Sequence, residues 1–159
     1  MPILIRKIDE LYGDFGNMSD HKIEFEGVRW CRSEHLFQAL RFSSKEIRAE
    51  INAERNPFKA KLLAKRRLKD NPESVIVQPM SDADVKNMAI VLCLKVEQHP
   101  SVKKLLLDTR DEQIIEDCGK RRGKSADFWG ARLENGAWRG ANTLGRLWME
   151  LRNELKNIK

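Results

Sequence analysis

Trp30-Cys31-Arg32-Ser33-Glu34-His35-Leu36-Phe37-Gln38-Ala39-Leu40-Arg41-Phe42 is the stretch on which the reading of this chain turns. Ser33 offers a helix cap, and Phe37, Leu40 and Arg41 then recur at helical spacing, with Leu36 one turn before Leu40. Immediately upstream, Lys22-Ile23-Glu24-Phe25-Glu26-Gly27-Val28-Arg29-Trp30 alternates polar and apolar residues around a central Glu-Gly. That pattern predicts a short hairpin with one buried face.

Further helices are expected from Lys45 to Ala53, from Pro57 to about Lys69, from Ser81 onward, and from Pro100 to near Leu107. Pro57 and Pro100 suit first-turn positions, because a helix leaves those amides unbonded in any case. The second of these helices carries Leu62, Leu63 and Leu68 on its apolar side, and Asn71-Pro72 ends it. Ser81, with Asp84 three residues later, starts the longest apolar helix, which includes Met88, Val91, Leu92, Leu94 and Val96. A short strand covers Gln113 to Glu116, and Gly119 to Gly140 reads as a long functional loop. An amphipathic helix from Asn142 to Leu155 closes the chain, with Asn142 as its cap. The expected fold class is α+β: mostly helical, one domain over residues 1–159, with a small antiparallel sheet.

At 159 residues with 41% hydrophobic content, the chain suits one hydrophobic core and gives no sign of disorder. No apolar run approaches the ~18–20 residues that span a bilayer, and the N-terminus lacks a signal-peptide pattern. Cys31, Cys93 and Cys118 are odd in number and scattered, which points to reduced thiols and a cytoplasmic location. A net charge of +6 favours anionic partners such as phosphates or nucleic acid.

Three segments are candidates for chemistry. Tyr12-Gly13-Asp14-Phe15-Gly16-Asn17-Met18-Ser19 implies a tight turn with amides free to meet a ligand, and Phe15 beside Asn17 suits a flat heterocycle. Alternatively it is a turn leading into the hairpin. Glu34, Gln38 and Arg41 follow one another along a helix face flanked by Trp30 and Phe37. They form either the polar wall of an apolar pocket or a plain solvated face. Asp127-Phe128-Trp129-Gly130, with Gly136 to Gly145 behind it, interleaves aromatics and glycines around one acid, as where a base stacks and backbone comes close.

Three other patterns carry less. Gly119-Lys120-Arg121-Arg122-Gly123-Lys124-Ser125 resembles a phosphate loop, but its glycines are one residue too close. Cys31 and His35 lack a second ligand pair for zinc, so no metal site is expected. The basic run from Lys59 to Lys69 is a solvated helix face or, alternatively, a nucleic-acid contact.

Taken in order, the segments resemble the YbiA-like family, also called the NADAR domain, from about Gly13 to Arg152. The matching features are Gly-Asp-Phe-x-Asn at Gly13 to Asn17 and Trp-x-x-Ser-Glu-His-x-Phe-Gln-Ala at Trp30 to Ala39. Gln98-His99, Asp127 to Gly130, Gly140-x-Asn142-x-Leu144-Gly145 and Met149-Glu150-Leu151-Arg152 complete the series. The resemblance implies an α+β fold and N-glycosidase activity, on ribosylated amine intermediates of riboflavin synthesis or on ADP-ribose joined to guanine in nucleic acid. Glu34, Asp127 and Trp129 match residues associated with catalysis in that family. Phe15, Asn17, Gln38 and Asn142 match pocket positions, to which Trp30, Arg41 and Gly140 are added as substrate-binding candidates.

Arg41 stands where the family usually has Lys; an arginine keeps its proton and clamps anions but offers no free amine. Ala64-Lys65 replaces a Gly-Arg pair, and the Asp/Asn-Trp usual before the long helix is missing.

The expected reaction breaks a ribose C1′–N bond, with Glu34 and Asp127 meeting across one cleft. One orients water and the other stabilises the cationic sugar, in either assignment. Trp129 and Phe15 are expected to stack on the leaving base, and Arg41 to bind phosphate. No metal and no cofactor are needed. The expected partner is a phosphorylated ribosyl small molecule or ADP-ribosylated nucleic acid, with no membrane. The alternatives are a non-catalytic module that binds ADP-ribose or a nucleotide, and a nucleic-acid-binding protein without enzyme activity.

Overall fold

A computed structural model describes residues 1–158. In chain order the elements are β1 (Ile3–Ile5), a 3-10 turn (Leu11–Phe15), β2 (Ile23–Phe25), β3 (Val28–Trp30), α1 (Ser33–Ala39), α2 (Lys45–Ala53) and α3 (Pro57–Asp70). A second 3-10 turn (Pro72–Ser74), α4 (Asp82–Gln98), α5 (Pro100–Asp108), β4 (Ile114–Glu116), α6 (Lys124–Trp129), β5 (Arg132–Glu134), β6 (Ala137–Arg139) and α7 (Thr143–Asn157) follow. The α+β class with helices predominating is as expected. The strands, however, form three separate pairs rather than one antiparallel sheet, and β1–β4 is parallel. No helix among the described residues is long and apolar enough to cross a membrane.

The chain divides into two compact units: Asn17–Gln98, and Met1–Gly16 together with His99–Lys159. In the Asn17–Gln98 unit, the predicted hairpin forms with Ile23 opposite Trp30 and Phe25 opposite Val28. Glu26 and Gly27 both take positive φ (50° and 79°), the geometry that matches the twist of the flanking strands. Gln98, at the end of α4, clamps β2 by accepting from the Glu24 amide at 2.7 Å and donating to its carbonyl at 2.8 Å. Helices α2 and α3 are capped by Ser44 and Asn56 and enclose Phe42, Ile47, Ile51, Ala60 and Ala64. Burying a side chain the size of Phe42 or Ile51 contributes about 1.5–3 kcal/mol. Leu63 and Leu68 pack against this cluster as expected, but Leu62 does not: it is 65% exposed, on the outer face of α3.

In the other unit, β1 pairs with β4 in the register Ile3–Ile114, Leu4–Ile115, Ile5–Glu116. Helix α7 lies directly on β4, because Gly145 has no Cβ to strike the Ile114 carbonyl. Trp148, from the same helix, is fully buried and donates its indole N–H to the Phe15 carbonyl at 3.0 Å. The segment expected as a long loop is more ordered than its glycines imply. It contains α6 and the β5–β6 hairpin, which turns at Asn135 (φ 49°) and Gly136 (φ 81°). Asn-Gly is the dipeptide that best tolerates two successive positive φ angles, so the turn was written in the sequence.

Candidate active site

The first-turn amides of α1, like those of any helix, have no carbonyl acceptor within the helix. Ser33 is its first residue, Arg32 occupies the cap position, and neither side chain caps it. The Ser33 cap expected from sequence is thus replaced by backbone: the Asn17 carbonyl accepts from the Glu34 amide at 2.9 Å. Asn17 is itself anchored, since its carboxamide Nδ2 donates to the Met88 sulfur on α4 at 3.1 Å.

Every residue of α1 is buried, as is Arg41 just beyond it, so Glu34, Gln38 and Arg41 do not form a solvated face. They form a chain of charge-assisted hydrogen bonds. Gln38 Nε2 donates to Glu34 Oε1 at 2.7 Å, and Arg41 Nη1 donates to Gln38 Oε1 at 2.9 Å. Arg41 then meets Asp84 side-on, Nε to Oδ1 at 2.8 Å and Nη2 to Oδ2 at 2.7 Å. Its guanidinium also lies 4.8 Å over the Phe37 ring. Asp84 is 0% exposed and accepts in addition from the Met80 amide at 2.8 Å. Glu34 retains 6% exposure. The contacts of Arg41 correct the expectation of a phosphate clamp: Nε, Nη1 and Nη2 are engaged in holding Gln38 and Asp84. A carboxylate fixed by a carboxamide, itself fixed by a paired guanidinium, is held in one orientation before any ligand arrives.

In the same unit, several buried polar side-chain atoms have no hydrogen-bond partner among the described residues. They include Asn17 Oδ1, Trp30 Nε1, Arg32 Nε, Ser33 Oγ and His35 Nδ1. Each such atom costs about 1–3 kcal/mol if it stays unsatisfied, so these atoms are available to a polar ligand. His35 Nε2 donates to the Glu54 carbonyl at 2.6 Å. Burial holds its pKa below the ordinary imidazole value, only partly offset by that hydrogen bond and by Glu34. His35 is therefore neutral at pH 7.

Asp127 and Trp129 lie on α6 in the other unit. The Asp127 side chain is 53% exposed, and Arg132 of β5 pairs with its Oδ1. That hydrogen bond raises the Arg132 pKa further. The Ala141 amide donates to the Asp127 carbonyl at 2.8 Å, and the Asn142 amide to the Gly130 carbonyl at 3.0 Å. Asp127, Trp129, Gly140 and Asn142 are thus joined within one unit, and Asn17, Trp30, Glu34, Gln38 and Arg41 within the other. Trp129 is half-buried and meets Phe128 edge-on, with ring centroids 4.9 Å apart.

Two pocket candidates have other roles. Phe15 is 0% exposed, packed against Trp148 with centroids 4.9 Å apart and stacked on Tyr12, so it is core and not a surface for a leaving base. Asn142 sits at the cap position with φ 50°, but its side chain makes no cap. Instead its Oδ1 accepts from the Glu116 amide and its Nδ2 donates to the Ile114 carbonyl, both at 2.9 Å, tying α7 to β4.

Sequence reasoning missed Asp84 as the counter-ion of Arg41 and took it only for a helix-start residue. It also missed Lys95, buried on the same helix, which donates to Ser19 Oγ at 2.7 Å. Ser19 Oγ in turn shares a 2.8 Å hydrogen bond with His21 Nδ1. The available signal was a charged residue inside an apolar helical stripe.

The NADAR domain family model matches residues 6–156. The chain is similar to the N-glycosidase YbiA of Escherichia coli, 35% identical over 147 residues, which cover 91% of this chain and 82% of that protein. It is also similar to an N-glycosidase of Nostoc punctiforme, 30% identical, covering 99% of this chain and 95% of the relative. The chloroplastic riboflavin biosynthesis protein PYRR of Zea mays is 29% identical over 92% of this chain, but only 24% of its own length is matched. The NMR structure of E. coli YbiA superposes with a TM-score of 0.74 at 29% identity, covering 98% of this chain and 87% of that one.

Proposed function

Since the chain belongs to the NADAR domain family and is a hydrolase acting on N-glycosyl bonds, we propose that it cleaves the C1′–N bond of a ribosylated base or amine. The single observation that carries this reading is Glu34, a nearly buried carboxylate held in place by Gln38, Arg41 and Asp84.

As the C1′–N bond breaks, positive charge develops on C1′ and the ring oxygen. Glu34 stabilises that charge, and its restraint means that little reorganisation is needed in the transition state. Asp127, exposed and steadied through Arg132, accepts a proton from the attacking water. The water oxygen bonds to C1′, and the departing nitrogen keeps the electron pair of the broken bond and takes up a proton. Trp129 stacks on the leaving base. Asn17, Trp30 and Ser33 supply hydrogen bonds to the sugar, and Gly140 lets the backbone approach it. Arg41 is a positioning residue acting through Gln38, and Asn142 and Phe15 support the scaffold. No step calls for a metal or a cofactor. Residues 1–159 act as one NADAR domain in a cytoplasmic setting that keeps the three thiols reduced.

The substrate is either a phosphoribosylaminopyrimidine of the kind formed in riboflavin synthesis or ADP-ribosyl-guanine in nucleic acid. Incubation with each, followed by chromatography for the freed amine or base, separates the two. Release from at least one is expected. Binding of both without any release would overturn the hydrolase reading and leave a non-catalytic ADP-ribose-binding module.

A further inference from the structure

The outer face of α3 has no role in the reaction above, and its composition is unusual for a solvated helix. Phe58, Leu62, Lys65 and Lys69 follow one another at i, i+4, i+7 and i+11, which places them along one line of the helix. Lys61 flanks that line on one side, and Lys59 and Arg66 on the other. All seven side chains are exposed, Phe58 by 58% and Leu62 by 65%. None of the five cations joins a salt bridge among the described residues; the neighbouring pair is Arg67–Glu50, on another side of the helix. Asp70 is the one acid in the helix, and Leu62, Lys65, Arg66, Lys69 and Asp70 line a shallow depression.

The face is held rigidly by the opposite side of α3, where Pro57, Ala60 and Ala64 are buried. Asn56 accepts from the Phe58 amide at 2.9 Å and the Lys59 amide at 3.3 Å, so Phe58 is fixed at the helix start. Five cations on one rigid face, in a chain whose whole net charge is +6, fit a polyphosphate backbone. An exposed aromatic at one end of the cationic line adds a stacking surface. In a duplex the faces of the bases are hidden, whereas in a single strand they are open. Two apolar side chains give too little area for insertion into a lipid surface.

We propose that the outer face of α3 binds single-stranded nucleic acid, with Lys61, Lys65, Arg66 and Lys69 on phosphates and Phe58 stacked on a base. The inference goes beyond the glycosidase reading and stands without it, because the probe carries no ribosyl adduct.

The test is fluorescence anisotropy of a short labelled oligothymidylate against the full chain across a salt series. Affinity is expected to fall with a log–log slope of roughly −2 to −3, about 0.7 for each phosphate neutralised. The triple variant Lys61→Glu/Lys65→Glu/Lys69→Glu should weaken binding by about tenfold or more at low salt. Phe58→Ala should weaken it roughly five- to hundredfold for the single strand and clearly less for a duplex. Both variants change exposed residues, so their melting temperatures should match the wild type and their release of base from a small substrate should persist. Unchanged affinity in the triple variant would overturn the proposal. So would loss of binding in Arg121→Glu/Arg122→Glu with α3 intact, or tighter binding to phosphatidylserine vesicles than to the oligonucleotide.

Discussion

Glu34 and Asp127 are both carboxylates in the first turn of a short helix, yet their surroundings are opposite. Glu34 is nearly buried and is the end of a relay that runs through Gln38 and Arg41 to the fully buried Asp84. Asp127 is half open to solvent and is steadied by one arginine, Arg132. The difference teaches how one fold can give one functional group two environments. A restrained, poorly solvated carboxylate suits fixed stabilisation of charge, whereas an exposed one can exchange protons with water.

The contrast breaks most visibly at Asp84. Asp84→Ala leaves the buried Arg41 guanidinium without its partner and should cost about 3–5 kcal/mol, read as a lowered midpoint in urea unfolding. A change below about 1 kcal/mol would show that the relay is not a buried unit. Pairing the change with Arg41→Leu should restore much of the stability but not the turnover, because Gln38 loses its anchor. Recovery of both would remove Arg41 from the account.

In the other unit the largest structural effect is expected at Asn142. Asn142→Ala removes two hydrogen bonds to the β4 backbone and places Ala at a positive φ, for a loss of about 2–3 kcal/mol. Unfolding by denaturant checks it, and wild-type stability would argue that α7 is held to β4 by other contacts. A smaller effect concerns His35, whose folded-state pKa lies below its unfolded value. The unfolded chain then binds the proton first, so this contribution is intact above about pH 6.5 and is lost as pH falls below it. Thermal melts of the wild type should drop between pH 7 and pH 5 more than those of His35→Gln, and parallel curves would contradict the assignment. The smallest stability effect is expected for Asp127→Asn, which should melt like the wild type while its turnover falls by about tenfold or more. Unchanged turnover would take Asp127 out of the reaction.

Much of the fold was legible because periodicity survives burial: the hairpin around Glu26-Gly27 and helices α2 to α5 follow from spacing, prolines and caps. The segment after Gly119 departs from the expected loop because glycine and charge there mark tight turns within regular structure, and Asn135-Gly136 is itself a hairpin signal. Asn142 shows the limit of local rules. Its residue type suits a cap, but its side chain is drawn to the backbone of β4, which lies 26 residues earlier in the chain at Glu116. At the site, Glu34, Gln38 and Arg41 were correctly placed on one face. Burial of that face depends on Asn17 and α4, contacts between residues far apart in the chain that no helical spacing reveals.

The most direct measurement is single-turnover release of base by the wild type and by Glu34→Gln, with equal melting temperatures confirming that both are folded. The relay account predicts a fall of about 10²–10³ in the rate of bond cleavage. A Glu34→Gln protein that cleaves at the wild-type rate would contradict it.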